Sequence, residues 1–355
     1  MPLWLSITVV LVAFYVVAAV VSGPFLVSLD IISRRLKLPS SVAGATLLAL
    51  GTSAPEISTA LVALFAEGRH AATGVGSIVG SAIFQILVVI GFAAAVRAST
   101  LDWRPVLRDS IAYAMAVALL AYFAADDRFT QLEASLLVGS YGLYLGVMWL
   151  WTRYGHEDVQ LSTPVAPPRP PASRAVRMLR SIVWPIDRML RLIPDPEHKP
   201  RWTLPVFAVC LAVIGYACYW LVAASEALAH ALAVPPVIIA LTVLAGGSSI
   251  PELVSSATVS RQGRGDMAIA NAIGSNIFDV LISLGLPVLL YCSLYGDLEG
   301  IGGGAITGSI TLLFGTLVVV VGLLAVQRFR VGRAFGSTLI LAYALYVLAA
   351  YLGWV

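Results

Sequence analysis

The chain has 355 residues, of which 59% are hydrophobic and only 12% charged, with a net charge of +3. A soluble domain carries about 25% charged residues, so the composition excludes an ordinary soluble enzyme or nucleic-acid-binding domain. The apolar runs are about 20 residues long and do not alternate, which makes helices the spanning element and excludes a membrane β-barrel.

Ten apolar segments are predicted, starting with 3–27. That run lacks a basic leader and continues past signal-peptide length, so it reads as a first span. Segment 40–66 contains Ala-Leu-Gly-Thr-Ser-Ala-Pro-Glu at 49–56, and segment 72–96 is rich in glycine and hydroxyl side chains. Segments 105–125 and 131–152 complete a first unit, 1–153. A linker, 154–201, begins with Pro164, Pro167, Pro168, Pro170 and Pro171 and continues with Arg174, Arg177, Arg180, Arg188 and Arg191 among apolar residues. The second stretch predicts a basic amphipathic helix on the inner leaflet. The second unit, 202–355, holds segments 203–225, 235–259, 267–291, 303–326 and 335–354. Within it, 245–252 reads Ala-Gly-Gly-Ser-Ser-Ile-Pro-Glu, close to the motif of the first unit. Cys210, Cys218 and Cys292 have no metal-ligand spacing and read as small buried hydrophobes.

Placing the loops alternately puts 20 of the 22 Lys and Arg residues on one side, with only Arg69 and Arg128 opposite. By the positive-inside rule, both termini are extracytoplasmic and the 154–201 linker is cytoplasmic, in a plasma (inner) membrane. Five spans per unit is an odd number, so the second unit enters the bilayer in the opposite sense. The fold class is therefore all-α and integral to the membrane, with ten helices as two inverted five-helix repeats. Asp30 with Glu226, Pro39 with Pro235, Thr46 with Thr242 and Ser81 with Ser275 are further equivalences.

Each motif places a carboxylate, Glu56 or Glu252, inside a span. A charge at that depth costs roughly 2.5–3.5 kcal/mol on insertion scales, so a duplicated one marks an ion path shared between the halves. Pro55 and Pro251 withhold a backbone donor and break the helix, which is expected to free carbonyls near Ala49 and Ala245. Thr52 with Glu56, and Ser248 with Glu252, stand four apart on one helical face; the next span repeats the spacing with Ser81 and Gln85, and with Ser275 and Asp279. This is an all-oxygen donor set of carboxylates, hydroxyls, one amide and carbonyls. Such a set selects hard cations, calcium above magnesium, zinc or copper, and sodium can share it. Three neighbouring carboxylates also repel one another when empty, so protons compete for the site. No cofactor, obligate protein partner or enzymatic activity is indicated; the partners are the ions and the lipid bilayer.

With Gly74-Val-Gly-Ser-Ile-Val-Gly-Ser-Ala-Ile-Phe84, Gly274-Ser-Asn-Ile-Phe-Asp-Val280 and Trp103-Arg-Pro-Val-Leu-Arg-Asp109, the two motifs resemble the alpha-repeats of the calcium:cation antiporter superfamily, sodium/calcium exchanger type. The resemblance is nearest to the potassium-dependent branch. It implies four sites in a diamond. Glu56 and Glu252, helped by Thr52 and Ser248, hold calcium. Ser53, Ser81, Ser249, Ser275 and the carbonyls of Ala49 and Ala245 bind sodium, and Gln85 and Asp279 flank the centre. Gln85 departs from the asparagine usual in the family, and Ser248 from threonine; Asp279 resembles the aspartate linked to potassium use. The implied function is alternating-access exchange of calcium for sodium, with potassium co-transport open. The alternatives are proton-coupled calcium antiport on the same scaffold, a channel, and an intramembrane aspartyl protease built on Gly263-Arg-Gly-Asp266. The last lacks a second aspartate placed as catalytic partner.

Overall fold

The structure is a computed structural model that describes residues 1–35, 49–65, 71–154, 188, 193–194, 200–261, 265–301 and 303–352. The expected amphipathic helix of the linker, Pro39 and Thr46 lie outside these residues. So do the side chains of Asp30 and Asp266.

Helices make up nearly all of the described chain. In the first half they are α1 (Leu3–Val20), α2 (Leu26–Arg35), α3 (Ala49–Thr52), α4 (Ala54–Phe65), α5 (Ala71–Phe84), α6 (Ile90–Val96), α7 (Trp103–Phe123) and α8 (Gln131–Tyr154), with two-residue strands β1 (Ser99–Thr100) and β2 (Arg128–Phe129) on either side of α7. The second half has α9 (Thr203–Leu232), α10 (Pro236–Ile239), α11 (Ala245–Ser248), α12 (Ile250–Arg261), α13 (Gly265–Phe278), α14 (Gly285–Tyr295), α15 (Gly303–Val326) and α16 (Arg333–Tyr351), with β3 (Leu298–Glu299) and β4 (Arg330–Val331) on either side of α15. Among the described residues, eight helices are long and apolar enough to cross a membrane. The pair Pro236–Ser248 and Ile250–Ala257, bent by 42°, meets the same length and hydropathy measure when the two helices are taken together. The expected span 40–66 is described only from Ala49, where Ala54–Phe65 is apolar but short.

The breaks have local causes. Between α1 and α2 the backbone widens at Val21–Phe25, where Pro24 removes a donor and Gly23 leaves helical geometry (φ −115°, ψ −110°). Between α3 and α4 the break falls at Ser53, and between α11 and α12 at Ser249. Each proline of the motif therefore sits in the first turn of a new helix, where its missing N–H is harmless. Three further wide turns, Gln85–Val89, Ala240–Leu244 and Asp279–Leu284, contain no proline. They are single π-turns, a distortion concentrated at functional sites.

The halves exchange partners in matching fashion. β1 pairs antiparallel with β4, and β2 with β3, so each half's first connection pairs with the other half's second. Because β1 and β2 lie at opposite ends of α7, the two ribbons are separated by roughly 30 Å, the length of a 21-residue helix. In the same way α6 packs on α16 and α14 on α8, while α7 packs on α13 and α15 on α5. The main hydrophobic core runs along these helices, through Ile78, Ile83, Ile90, Tyr113, Leu120, Ile277, Leu284 and Leu313. Contact between the halves is closest at glycines: a Cβ on Gly80 would run into the backbone of Leu241, and one on Gly336 into that of Gly91. The α1 and α9 spans lie side by side, with Phe25 stacked on Phe207 at 5.2 Å.

Candidate ion-binding site

Glu56 lies in the first turn of α4 and Glu252 in the first turn of α12, just past the two breaks. A helix N-terminus presents unpaired N–H groups and favours negative charge, so the broken helices steady carboxylates that a continuous span would strand. Both side chains are fully buried (1% and 0% exposed), as is Asp279 (0%). Thr52, Ser53, Ser81, Gln85, Ser248, Ser249 and Ser275 are buried as well.

Hydrogen bonds link most of these residues across the two halves. Ser249 Oγ donates to Glu56 Oε1 at 3.2 Å and Ser81 Oγ to the same oxygen at 3.4 Å, while the two hydroxyls are 2.7 Å apart. Gln85 Nε2 donates to Asp279 Oδ2 at 2.8 Å and to Ser81 Oγ at 3.4 Å. Ser275 Oγ donates to Gln85 Oε1 at 2.7 Å. The remaining contacts are reciprocal: Thr52 lies against Glu252, and the equivalent Ser248 against Glu56. Ser53 faces Asp279 without closing a hydrogen bond. Glu252 is within electrostatic reach of both Glu56 and Asp279.

The residues therefore form one constellation, but the oxygens are unevenly satisfied. Glu56 Oε2 and both oxygens of Glu252 are buried and accept no well-formed hydrogen bond. An ionised carboxylate is very costly to bury unpaired, so these oxygens require either a cation or a proton. Among the described residues no three Asp, Glu, His or Cys side chains gather tightly enough to hold a metal by themselves. Two glutamates completed by neutral hydroxyl and amide oxygens fit a hard cation that takes many oxygen ligands.

Two expectations need amending. The Ala245 carbonyl is not freed: it accepts from Ser249 N at 3.3 Å and from Ser248 Oγ at 3.1 Å. The proline removes the donor four residues on, which relieves Gly51 and Gly247 rather than the alanines. Ala49, the counterpart of Ala245, opens the short helix α3. Sequence spacing also paired Thr52 with Glu56 and Ser248 with Glu252; in the structure Thr52 lies near Glu252 and Ser248 near Glu56, although the Ser248 hydroxyl itself is given to the Ala245 carbonyl.

Some participants escaped the sequence reading. Ser283 Oγ donates to Asp279 Oδ1 at 3.0 Å, and its i+4 spacing from Asp279, the same as that of Ser81 to Gln85, was a usable signal. Tyr113 of α7, buried and within electrostatic reach of Asp279, carried no such signal. Asn276, next to Ser275, is buried with its amide atoms unpaired among the described residues. Cys218, read as filler, donates its thiol to the carbonyl of Pro55 at 3.7 Å, bracing the first break.

Comparison with known proteins agrees with this architecture. Residues 6–150 and 202–352 match the family described as sodium/calcium exchanger protein. Human sodium/potassium/calcium exchanger 4 is 24% identical over 494 aligned positions, which cover 94% of this chain and 79% of that protein. Human sodium/potassium/calcium exchanger 5 is 29% identical, covering 79% of this chain and 69% of its own length. Among solved structures, the sodium-calcium exchanger NCX_Mj superposes with a TM-score of 0.58 at 21% identity, covering 98% of each chain. The H+/Ca2+ exchanger CAX superposes with a TM-score of 0.69 at 15% identity, covering 97% of this chain and 82% of that one. At these identities the structures speak to the fold alone.

Proposed function

The chain belongs to the sodium/calcium exchanger protein family, and on that footing we propose that it is a calcium antiporter that uses sodium as the counter-ion, with potassium as a candidate co-ion. The observation that carries this reading is the reciprocal arrangement of the site. Each half presents a buried glutamate at a helix break, and each glutamate is attended by a hydroxyl from the opposite half. A cation held by both would bind the halves together, and its release would let them part. That is the coupling alternating access requires.

In this reading the chain has ten spans in two inverted repeats, 1–153 and 202–355, joined by a cytoplasmic linker, with both termini outside the cell membrane. The exchanged paired strands support the inversion, since corresponding connections end up at opposite ends of α7. Glu56, Glu252, Thr52 and Ser248 form the calcium centre. Ser53, Ser81, Ser249 and Ser275 supply sodium ligands, with the backbone of Ala49 and Ala245 nearby. Gln85 and Asp279 close the flanks. No catalytic chemistry is involved.

A proton is the second counter-ion considered, supported by the three carboxylate oxygens that lack donors. Calcium uptake into proteoliposomes, with sodium, potassium and pH gradients imposed one at a time, separates the two. Uptake driven by an outward sodium gradient at uniform pH is expected. Uptake driven only by a pH gradient would establish the proton reading, and no uptake under any gradient would end both.

A further inference from the structure

At one end of α7 and α8, outside the ion path, three arginines each lie over a tryptophan. Arg104 lies over Trp103 at 5.7 Å, Arg108 over Trp151 at 5.5 Å and Arg153 over Trp149 at 5.0 Å, measured from guanidinium carbon to ring centroid. The Arg108–Trp151 pair bridges the two helices, and the other two pairs lie within about a turn of it. A buried ion pair fixes the centre: Arg108 Nε donates to Asp109 Oδ1 at 2.8 Å and its Nη2 to Oδ2 at 3.1 Å, while Tyr144 Oη donates to Asp109 Oδ1 at 3.4 Å. Arg108 is therefore a strut between α7 and α8. Arg104 and Arg153 are exposed, as are Trp103 (52%), Trp149 (44%) and Trp151 (38%).

We propose that this end of the α7–α8 pair is a binding site for the headgroup of an anionic phospholipid. A guanidinium stacked on an indole keeps its N–H donors in its own plane, pointing past the ring, in the fork that suits a phosphate. Stacking also holds a long side chain in place before the ligand arrives, which lowers the ordering cost of binding. Tryptophan is at home at headgroup depth, where its apolar body faces acyl chains and its N–H faces water.

Charge complementarity selects an anionic lipid over a zwitterionic one. The β1–β4 pair sets Arg330 opposite Thr100 on this same end of the molecule, and Arg97 and Arg333 flank those strands. Asp109, the buried acid here, is already occupied by Arg108. The corresponding stretches of the other half, residues 303–309 and 344–355, contain no arginine, although Trp354 falls within the second. The arginines of this feature are therefore not part of the repeated scaffold but an addition to one half.

The test uses the purified full-length protein, delipidated in neutral detergent and titrated with phosphatidylglycerol or phosphatidylcholine. Retained lipid is counted by native mass spectrometry, and melting temperature is followed in parallel. The wild type is expected to retain and be stabilised by phosphatidylglycerol in preference to phosphatidylcholine. The Arg104→Gln/Arg153→Gln variant is expected to lose that preference by roughly 10-fold. Should it fail to fold, Arg104→Lys/Arg153→Lys, which keeps the charge but not the stacked fork, is expected to lose part of it. Removing the same charge with Arg35→Gln/Arg201→Gln, exposed arginines at the end of α2 and just before α9, is expected to leave the preference largely intact. An equal loss in that control would mean general basicity, and the site would be abandoned. It would be abandoned equally if the first variant kept its preference, or if inorganic phosphate or glycerol phosphate gave the same stabilisation without an acyl chain.

Discussion

At the point where each site-lining helix opens into a π-turn, the first half carries an amide, Gln85, and the second a carboxylate, Asp279. The two meet at 2.8 Å, so the amide occupies one oxygen of the acid and Ser283 occupies the other. The central glutamates are treated differently: both Glu252 oxygens and one of Glu56 are left without donors. Equivalent positions in a duplicated scaffold have thus divided the work. The centre keeps unpaid negative charge for a cation, while the flank has its charge tied into the protein's own network.

Neutralising the centre should have the largest effect. Glu56→Gln or Glu252→Gln is expected to reduce calcium exchange in proteoliposomes at least ~100-fold, about 2.8 kcal/mol at 1.4 kcal/mol per decade. Glutamine preserves the volume, so normal yield and a monodisperse size-exclusion peak should accompany the loss. Exchange persisting in either variant would remove that glutamate from the ion path. If only one variant lost exchange, the symmetry between the halves would be broken.

The flank should respond less. Asp279→Asn removes a charge already satisfied by Gln85 and Ser283, and a roughly 10-fold weaker apparent calcium affinity is expected, about 1.4 kcal/mol. Gln85→Asn shortens the amide by one methylene and frees Asp279 Oδ2, for a shift of ~3-fold, the size of one ordinary hydrogen bond. Flux against calcium concentration measures both. If Asp279→Asn proved as damaging as Glu252→Gln, the flank would have to be counted as part of the centre.

Much of this was legible in the sequence because hydropathy and charge act along the chain. The apolar segments that became α5–α6, α9 and α13–α14 announce themselves by length, and Glu56 and Glu252 by being charged where charge is costly. Pairing across the halves was not legible. A residue four positions before a glutamate is on the same helical face only if the helix continues, and here it stops at Ser53 and Ser249. Across that break Thr52 comes to lie near Glu252 of the other half. The π-turns at Gln85 and Asp279 were invisible because neither proline nor glycine marks them; they follow from packing. Tyr113 lay 166 positions from Asp279 with no repeat partner of its own kind at the equivalent place in α15.

That reversal yields a sharper, smaller test. Thr52→Val should weaken apparent calcium affinity by a few-fold, about 1 kcal/mol, as for one hydroxyl withdrawn from a buried charge. In a double-mutant cycle it should couple to Glu252→Asp and be additive with Glu56→Asp; Ser248→Ala should do the converse. Calcium-dependent thermal stabilisation of the purified variants gives the readout. Coupling of Thr52 to Glu56 instead would restore the arrangement read from spacing and discard the reciprocal one.

The smallest difference lies at the ribbons. In the connection before β2, Arg128 Nε donates to Asp126 Oδ2 at 2.8 Å, a half-exposed pair that holds the Asp126 carboxyl below its usual 3.8. The corresponding connection before β4 reads Gln327-Arg328-Phe329, with no acid at all. A carboxyl with a depressed folded-state pKa adds stability above its unfolded value and loses it as pH falls through the folded one. Any contribution of this pair is therefore present at neutral pH and disappears only below about pH 4. Exposed pairs of this kind are worth little and are screened by salt, because water already solvates both partners. Arg128→Ala should then leave exchange unchanged and move the melting temperature at pH 7 by no more than experimental error, with 0.5 M salt erasing any residue of an effect. A large shift at pH 7 that resists salt would mean that this ribbon, unlike its acid-free counterpart, clamps the two halves together.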